Sequence, residues 1–179
     1  MATLKAPLTP SDHIRGGADA PVTLVEYGDY ECPHCALAHP VVKLIERRFG
    51  PNMRFVFRHF PLNEIHPHAE AAAESAEFAG AHDRFWEMHE GLYENQDRLG
   101  PPLFVALVRA IGLSEAELQS ALINRTFAPK VRSDFLSGVR SGVNGTPTFF
   151  INGRRHDGSY EFEELSGAID VHLRTKALL

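Results

Sequence analysis

Basic residues are not in surplus. The chain of 179 residues carries 18 Lys and Arg against 23 Asp and Glu, a formal charge of -5, and so lacks the positive footprint by which nucleic-acid binders hold phosphate. Nucleic acid is not an expected partner. No apolar run comes near the roughly 20 residues that a spanning helix needs, so no membrane insertion is expected either. The opening residues offer only scattered apolar side chains, Leu4, Leu8 and Ile14, in place of a secretory apolar segment. As written, the chain is expected in the cytoplasm; a periplasmic or extracytoplasmic setting follows if an export signal has been removed. Repeats and low-complexity tracts are absent, and the length fits one ordinary globular domain.

Cysteine is scarce as well, with only Cys32 and Cys35. A domain of this size buries about 70% of the surface its unfolded chain exposes and needs no covalent staple. A lone closely spaced pair is more often catalytic, redox-sensing or metal-binding than structural. The two thiols sit in Cys32-Pro33-His34-Cys35, where the strand-like run Val22 to Tyr27 gives way to a helical pattern. At a helix start, unpaired N–H groups and the dipole favour a thiolate on the first sulfur, and the second lies within one turn. Cys32, at the exposed edge of that turn, is the expected nucleophile, and Cys35, set deeper, the resolving thiol. Pro33 suits the first turn because it has no N–H to orphan. His34, between the thiols, is expected to stabilise the Cys32 thiolate and make the couple oxidising.

The rest of the pattern supplies the frame. Residues 22 to 28 read as a buried central strand. From Pro33 to Phe49 a helix places Leu37, Val41, Leu44, Ile45 and Phe49 at helical spacing, with a kink expected at Pro40. Met53 to His59 alternates as a second strand, parallel to the first across the helix. Residues 62 to 142 read as helices, among them one opened by a Ser114/Glu117 capping pattern. Thr148 to Ile151, the turn Asn152-Gly153 and Arg154 to His156 form a hairpin. A last helix carries Phe162, Leu165, Ile169 and Leu173, with Ser159 as N-cap. The expected fold is therefore α/β, a single domain over 1–179 whose core (20–61 and 143–179) is split by a helical insertion (62–142).

Glu26, the Cys32-Pro33-His34-Cys35 motif, Pro40 and Gly145-Thr146-Pro147-Thr148 together resemble the DsbA family of thioredoxin-fold thiol-disulfide oxidoreductases over nearly the whole chain. The resemblance implies a thioredoxin-like fold with an inserted helical domain and no bound cofactor. It also implies exchange with protein or peptide thiols and disulfides, and an unidentified redox partner that recycles the protein. It makes Pro147 a cis-proline beside the active site and gives Thr146 a backbone contact with bound substrate. It makes Glu26 a buried acid that moves protons for Cys35, where the residue alone reads equally as a strand-end carboxylate reaching solvent.

Two other uses remain open from the residues. Cys32 and Cys35 with two of His39, His59, His66 and His68 could complete a tetrahedral metal site, although no second pair has ligand spacing and no metal is expected. The same fold could also serve as a cytosolic reductase or redox relay. The Phe and Leu stripes of the middle segment are core or a substrate groove. A monomer is expected.

Overall fold

The computed structural model describes residues 2–177. Its sheet has five strands in the order β1-β3-β2-β4-β5: β1 (His13–Arg15), β2 (Val22–Gly28), β3 (Met53–His59), β4 (Thr148–Ile151) and β5 (Arg154–His156). β2 and β3 are parallel, with Val22 opposite Met53 and Gly28 opposite His59, and every other pairing is antiparallel. The parallel pair needs a crossover, which α1 (Pro33–Phe49) provides. Between β3 and β4 come α2 (Ala69–Gly80), α3 (Phe85–Glu94), α4 (Pro101–Ala110), α5 (Glu115–Ile123) and α6 (Ala128–Arg140), and α7 (Phe162–Ala177) closes the chain.

β1 corrects the expected core boundary at residue 20. Its three residues pair with Phe55 to Phe57 along the edge of β3, so the sheet begins before the segment assigned to it. A strand of that length shows no alternation to read. The tail of the range 143–179 lies outside the described residues.

Alternation along β2 and β3 divides the apolar residues between two faces. Val22, Leu24, Phe55 and Phe57 lie in the larger core with α1, α3 and α7, while Val25, Tyr27 and Val56 pack with Phe60, Phe150, Phe135 and the amino-terminal Leu4 and Leu8. α1 runs unbroken through Pro40 and buries Cys35, Ala38, Val42, Ile45 and Phe49. Leu37 and Leu44, expected on that face, are 61% and 47% exposed. Cys35 sets the rotation: at 3.6 residues per turn, Leu37 and Leu44 point far from the inward line that it begins.

Local signals elsewhere act as the chemistry requires. Asn152 and Gly153 both take positive φ, 47° and 79°, as a two-residue type I′ turn demands. Ser114 Oγ accepts from Glu117 N at 3.3 Å at the start of α5. Ser159 is not the cap of α7, because its Oγ accepts from Glu161 N, one residue short of the helix.

Candidate active site

β2 ends at Gly28, and the next four residues lead into α1 at the carboxyl edge of the parallel strands, where such sheets present their sites. Asp29 organises this loop. Its Oδ1 accepts from Glu31 N at 2.8 Å, and its Oδ2 accepts from Leu62 N at 2.8 Å and pairs with His66 Nδ1 at 2.7 Å. Glu31 Oε2 accepts from His68 N at 2.6 Å, and Gln96 Nε2 donates to the carbonyls of Tyr30 and Cys32 at 2.8 and 2.9 Å. The helical insertion therefore holds the thiol-bearing turn in place.

Cys32 is the N-cap of α1 with extended backbone (φ -74°, ψ 121°), and Pro33 opens the helix. No side chain caps this end, which leaves its N–H groups for the sulfur. In its thiol form Cys32 Sγ donates to the carbonyl oxygen of Thr146 at 3.3 Å. The Thr146-Pro147 peptide bond is cis. Both thiols are free, and Cys35 is fully buried. Cys32 was expected at an exposed edge and is only 5% exposed; the 146–147 loop folds over its sulfur.

The two thiols differ in acidity. A hydrogen bond from the Cys35 thiol, helped by the Thr146 side chain and then the N–H groups of Cys35 and His34, outweighs burial and lowers the Cys32 pKa to about 5. Burial, followed by the hydrogen bond with Cys32 and the charge of Glu26, pushes Cys35 well above its ordinary value. One sulfur is thus a thiolate at neutral pH and its neighbour holds a proton.

Glu26 does not reach solvent. It is 2% exposed, and its Oε1 has no hydrogen-bond partner. Burial, with the charges of Cys32 and Glu46 adding to it, raises its pKa to about 8. Alternation along β2 puts its side chain on the same sheet face as Leu24, beneath α1. His34 is exposed, with Nδ1 3.1 Å from Tyr160 Oη in the segment before α7. Sequence reasoning missed Tyr160, Gln96, Asp29 and Tyr93, which no local motif marks.

The histidines proposed as metal partners of the thiols have other roles. His39 is buried and stacked on Tyr93 at 5.0 Å, His66 pairs with Asp29, and the backbone of His68 is bound by Glu31. His59 joins His13 and Glu77, the one group among the described residues placed as metal ligands, and neither thiol belongs to it. Both imidazole Nε2 atoms lie on Glu77 Oε1, at 2.8 and 2.7 Å, while His59 Nδ1 is buried without a partner. A metal on Nε2 would force a proton onto that Nδ1, where nothing accepts it. The trio fits a hydrogen-bonded clamp better than a metal centre.

A family model described as thioredoxin matches residues 8–171. A protein of Salinispora arenicola named Na(+)/H(+) antiporter NhaA 1 is 45% identical over 167 residues, which are 93% of this chain and 26% of that protein. The chain spans about a quarter of the length of the curated relatives it matches, and no helix among the described residues is long and apolar enough to cross a membrane. The crystal structure of oxidised BdbD from Bacillus subtilis overlays with a TM-score of 0.87 at 26% identity, covering 97% of this chain and 98% of the other. That of alpha-DsbA1 from Wolbachia pipientis overlays at 0.85 with 21% identity, covering 98% and 96%. Matched by the family model over nearly its full length, and sharing both the sheet and its helical insertion with these structures, the chain belongs to the thioredoxin family in its DsbA-like form.

Proposed function

We propose that the protein is a thiol-disulfide oxidoreductase working in the oxidising direction, in which the Cys32-Cys35 disulfide passes to thiols of a protein or peptide. The carrying observation is the split acidity of two sulfurs one turn apart, with Cys32 near 5 and Cys35 well raised. Groups that stabilise the Cys32 thiolate stabilise the reduced protein and so make its disulfide a stronger oxidant.

A substrate thiolate attacks Cys32 Sγ. The S–S bond to Cys35 breaks, Cys35 leaves with the electron pair and takes up a proton, and a mixed disulfide joins Cys32 to the substrate. A second substrate thiolate attacks the substrate sulfur of that bond and releases Cys32 as the thiolate, so the substrate is oxidised and the protein is left as the dithiol. Pro33 starts the helix whose N–H groups face Cys32, and His34 adds a dipole beside it. As thiolate or as disulfide Cys32 has no proton to give, so the Thr146 carbonyl 3.3 Å from its sulfur is free to accept from the backbone of an extended substrate. Glu26 holds its proton at neutral pH, where the departing Cys35 needs one.

This reading goes with an oxidising compartment and a separate partner that restores the disulfide. A glutathione redox titration tests it. A midpoint toward the roughly -120 mV of strong oxidants supports disulfide donation, and one near roughly -270 mV makes the protein a reductase or relay.

A further inference from the structure

The Thr146 side chain serves Cys32; of the other buried oxygens near the thiols, Glu26 Oε1 and Tyr93 Oη have no partner. Tyr93 comes from α3 of the insertion, and its ring stacks on His39, one turn beyond Cys35 on α1. Its hydroxyl meets the end of β2: a Cβ built on Gly28 would stand 2.9 Å from Tyr93 Oη. The adjoining Asp29 N donates to Cys35 Sγ at 3.5 Å. Hydroxyl and thiol therefore approach the same Gly28-Asp29 peptide from two helices, while Glu26 lies two residues upstream on that face. Tyr30, His39, His89, Asp29 and Glu26 are the other polar groups around the phenol.

A buried hydroxyl without a partner is a net cost to the fold, and phenylalanine would occupy the same space without it. Charge on Cys35 acts on the Tyr93 hydroxyl more strongly than any other charge, second only to burial. The oxygen is unpartnered in the reduced protein and meets the same peptide as the sulfur on which negative charge arises during exchange.

Resting on the exchange chemistry above, we propose that Tyr93 is a positioning residue whose hydroxyl donates a hydrogen bond to Cys35 as it leaves the disulfide as a thiolate, holding that charge until the Glu26 carboxyl delivers its proton. The Cys32-Cys35 bond breaks with its electron pair on Cys35, the proton passes from Glu26 to Cys35 Sγ, and the carboxylate left behind is reloaded by the proton that the second substrate thiol gives up. The phenol itself is neither consumed nor ionised. It acts at the moment of departure.

The test mixes oxidised protein with a cysteine-containing peptide under stopped flow, following formation of the mixed disulfide by quenching and mass, for the parent and for Tyr93→Phe, Glu26→Gln and the double variant. Tyr93→Phe should melt no lower than the parent, keep the Cys32 titration near 5, and react about tenfold more slowly at pH 7, the loss of one hydrogen bond to a charged group. The double variant should be no slower than the slower single variant, since both changes strike one step. An unchanged rate in Tyr93→Phe, a lowered melting temperature, or additive slowing would each overturn the inference and leave the exchange reading standing. A parent disulfide that does not react with the peptide would instead sink the exchange reading itself.

Discussion

The sulfur of Cys32 and the carbonyl oxygen of Thr146 stand 3.3 Å apart although 114 residues separate them in the chain. The contact joins the first turn of α1 to the loop that precedes β4, so the nucleophile and the backbone proposed to receive substrate are fixed by one another.

The low pKa of Cys32 has a named source, the Cys35 thiol, and that source can be removed. Thiolate absorbance of the reduced protein should titrate near pH 5, and Cys35→Ala should raise that midpoint by about one to two units, since the helix N–H groups remain. The effect on stability follows in sign. Cys32 is more acidic folded than unfolded, so its contribution is complete above the ordinary thiol range and fades as pH falls toward 5. The reduced protein should therefore gain stability over Cys32→Ser from pH 5 upward in chemical denaturation. A Cys32 titration near 8 or 9 would contradict the assignment.

Glu26 predicts a trend of the opposite sign. Its pKa is raised by burial from 4.5 to about 8, so the folded state holds a proton that the unfolded chain releases between those values. The stability attached to that proton is whole below about pH 4.5 and lost as pH climbs through 8. Across this window the cost is on the order of 3–5 kcal/mol. Glu26→Gln should flatten that part of the stability profile and become more stable than the parent above pH 8. Equal slopes in urea denaturation at pH 5, 7 and 9 for the two proteins would show Glu26 already ionised in the fold.

Tyr160 links the end of the chain to the dipeptide between the thiols, with its Oη 3.1 Å from His34 Nδ1. A neutral imidazole accepts from the phenol there and carries its proton on Nε2; a protonated ring donates to the same oxygen. Either way the ring is tied to Tyr160. Tyr160→Phe should release it and make the couple less oxidising by roughly 10–30 mV, the equivalent of one solvent-facing hydrogen bond. The measurement is the glutathione equilibrium of the variant against the parent. If His34→Ala moves the potential and Tyr160→Phe does not, the imidazole acts without this anchor.

Much of the frame is readable in the residues because it is local. The nearly continuous apolar run from Val22, the Pro33 helix start, the Asn152-Gly153 turn and the Cys32/Cys35 spacing each depend on neighbours a few positions apart. β1 is not readable, since three residues acquire strand geometry only by pairing with β3. Leu37 and Leu44 belong to the stripe yet lie exposed, because a hydrophobic stripe gives helix type more surely than helix rotation. At the site, the thiols declare themselves while Tyr93, Gln96 and Tyr160 do not. Their roles arise from contacts between the insertion or the carboxyl-terminal segment and the loop after β2, and no sequence spacing encodes those.

The clamp behind the site makes the last prediction. Glu77 on α2 binds the imidazoles of His13 on β1 and His59 on β3 through one oxygen, at 2.8 and 2.7 Å, with Lys130 of α6 3.9 Å away. Both imidazoles hold its carboxyl far below the usual carboxylate range against the opposing pull of burial. A depressed acid stabilises the fold fully above its unfolded pKa, near 4.5, and loses that contribution as pH falls below it. Glu77→Ala should therefore cost about 3 kcal/mol at pH 7, since two largely buried N–H donors lose their acceptor. The gap between variant and parent should begin to narrow as the solution is acidified below about pH 4.5, and urea denaturation at pH 7 and pH 3.5 should show it smaller at the lower pH. Chelator provides the contrasting outcome: if it lowers the melting temperature of the parent and leaves Glu77→Ala unmoved, the three side chains hold a metal ion and the hydrogen-bonded clamp is the wrong description.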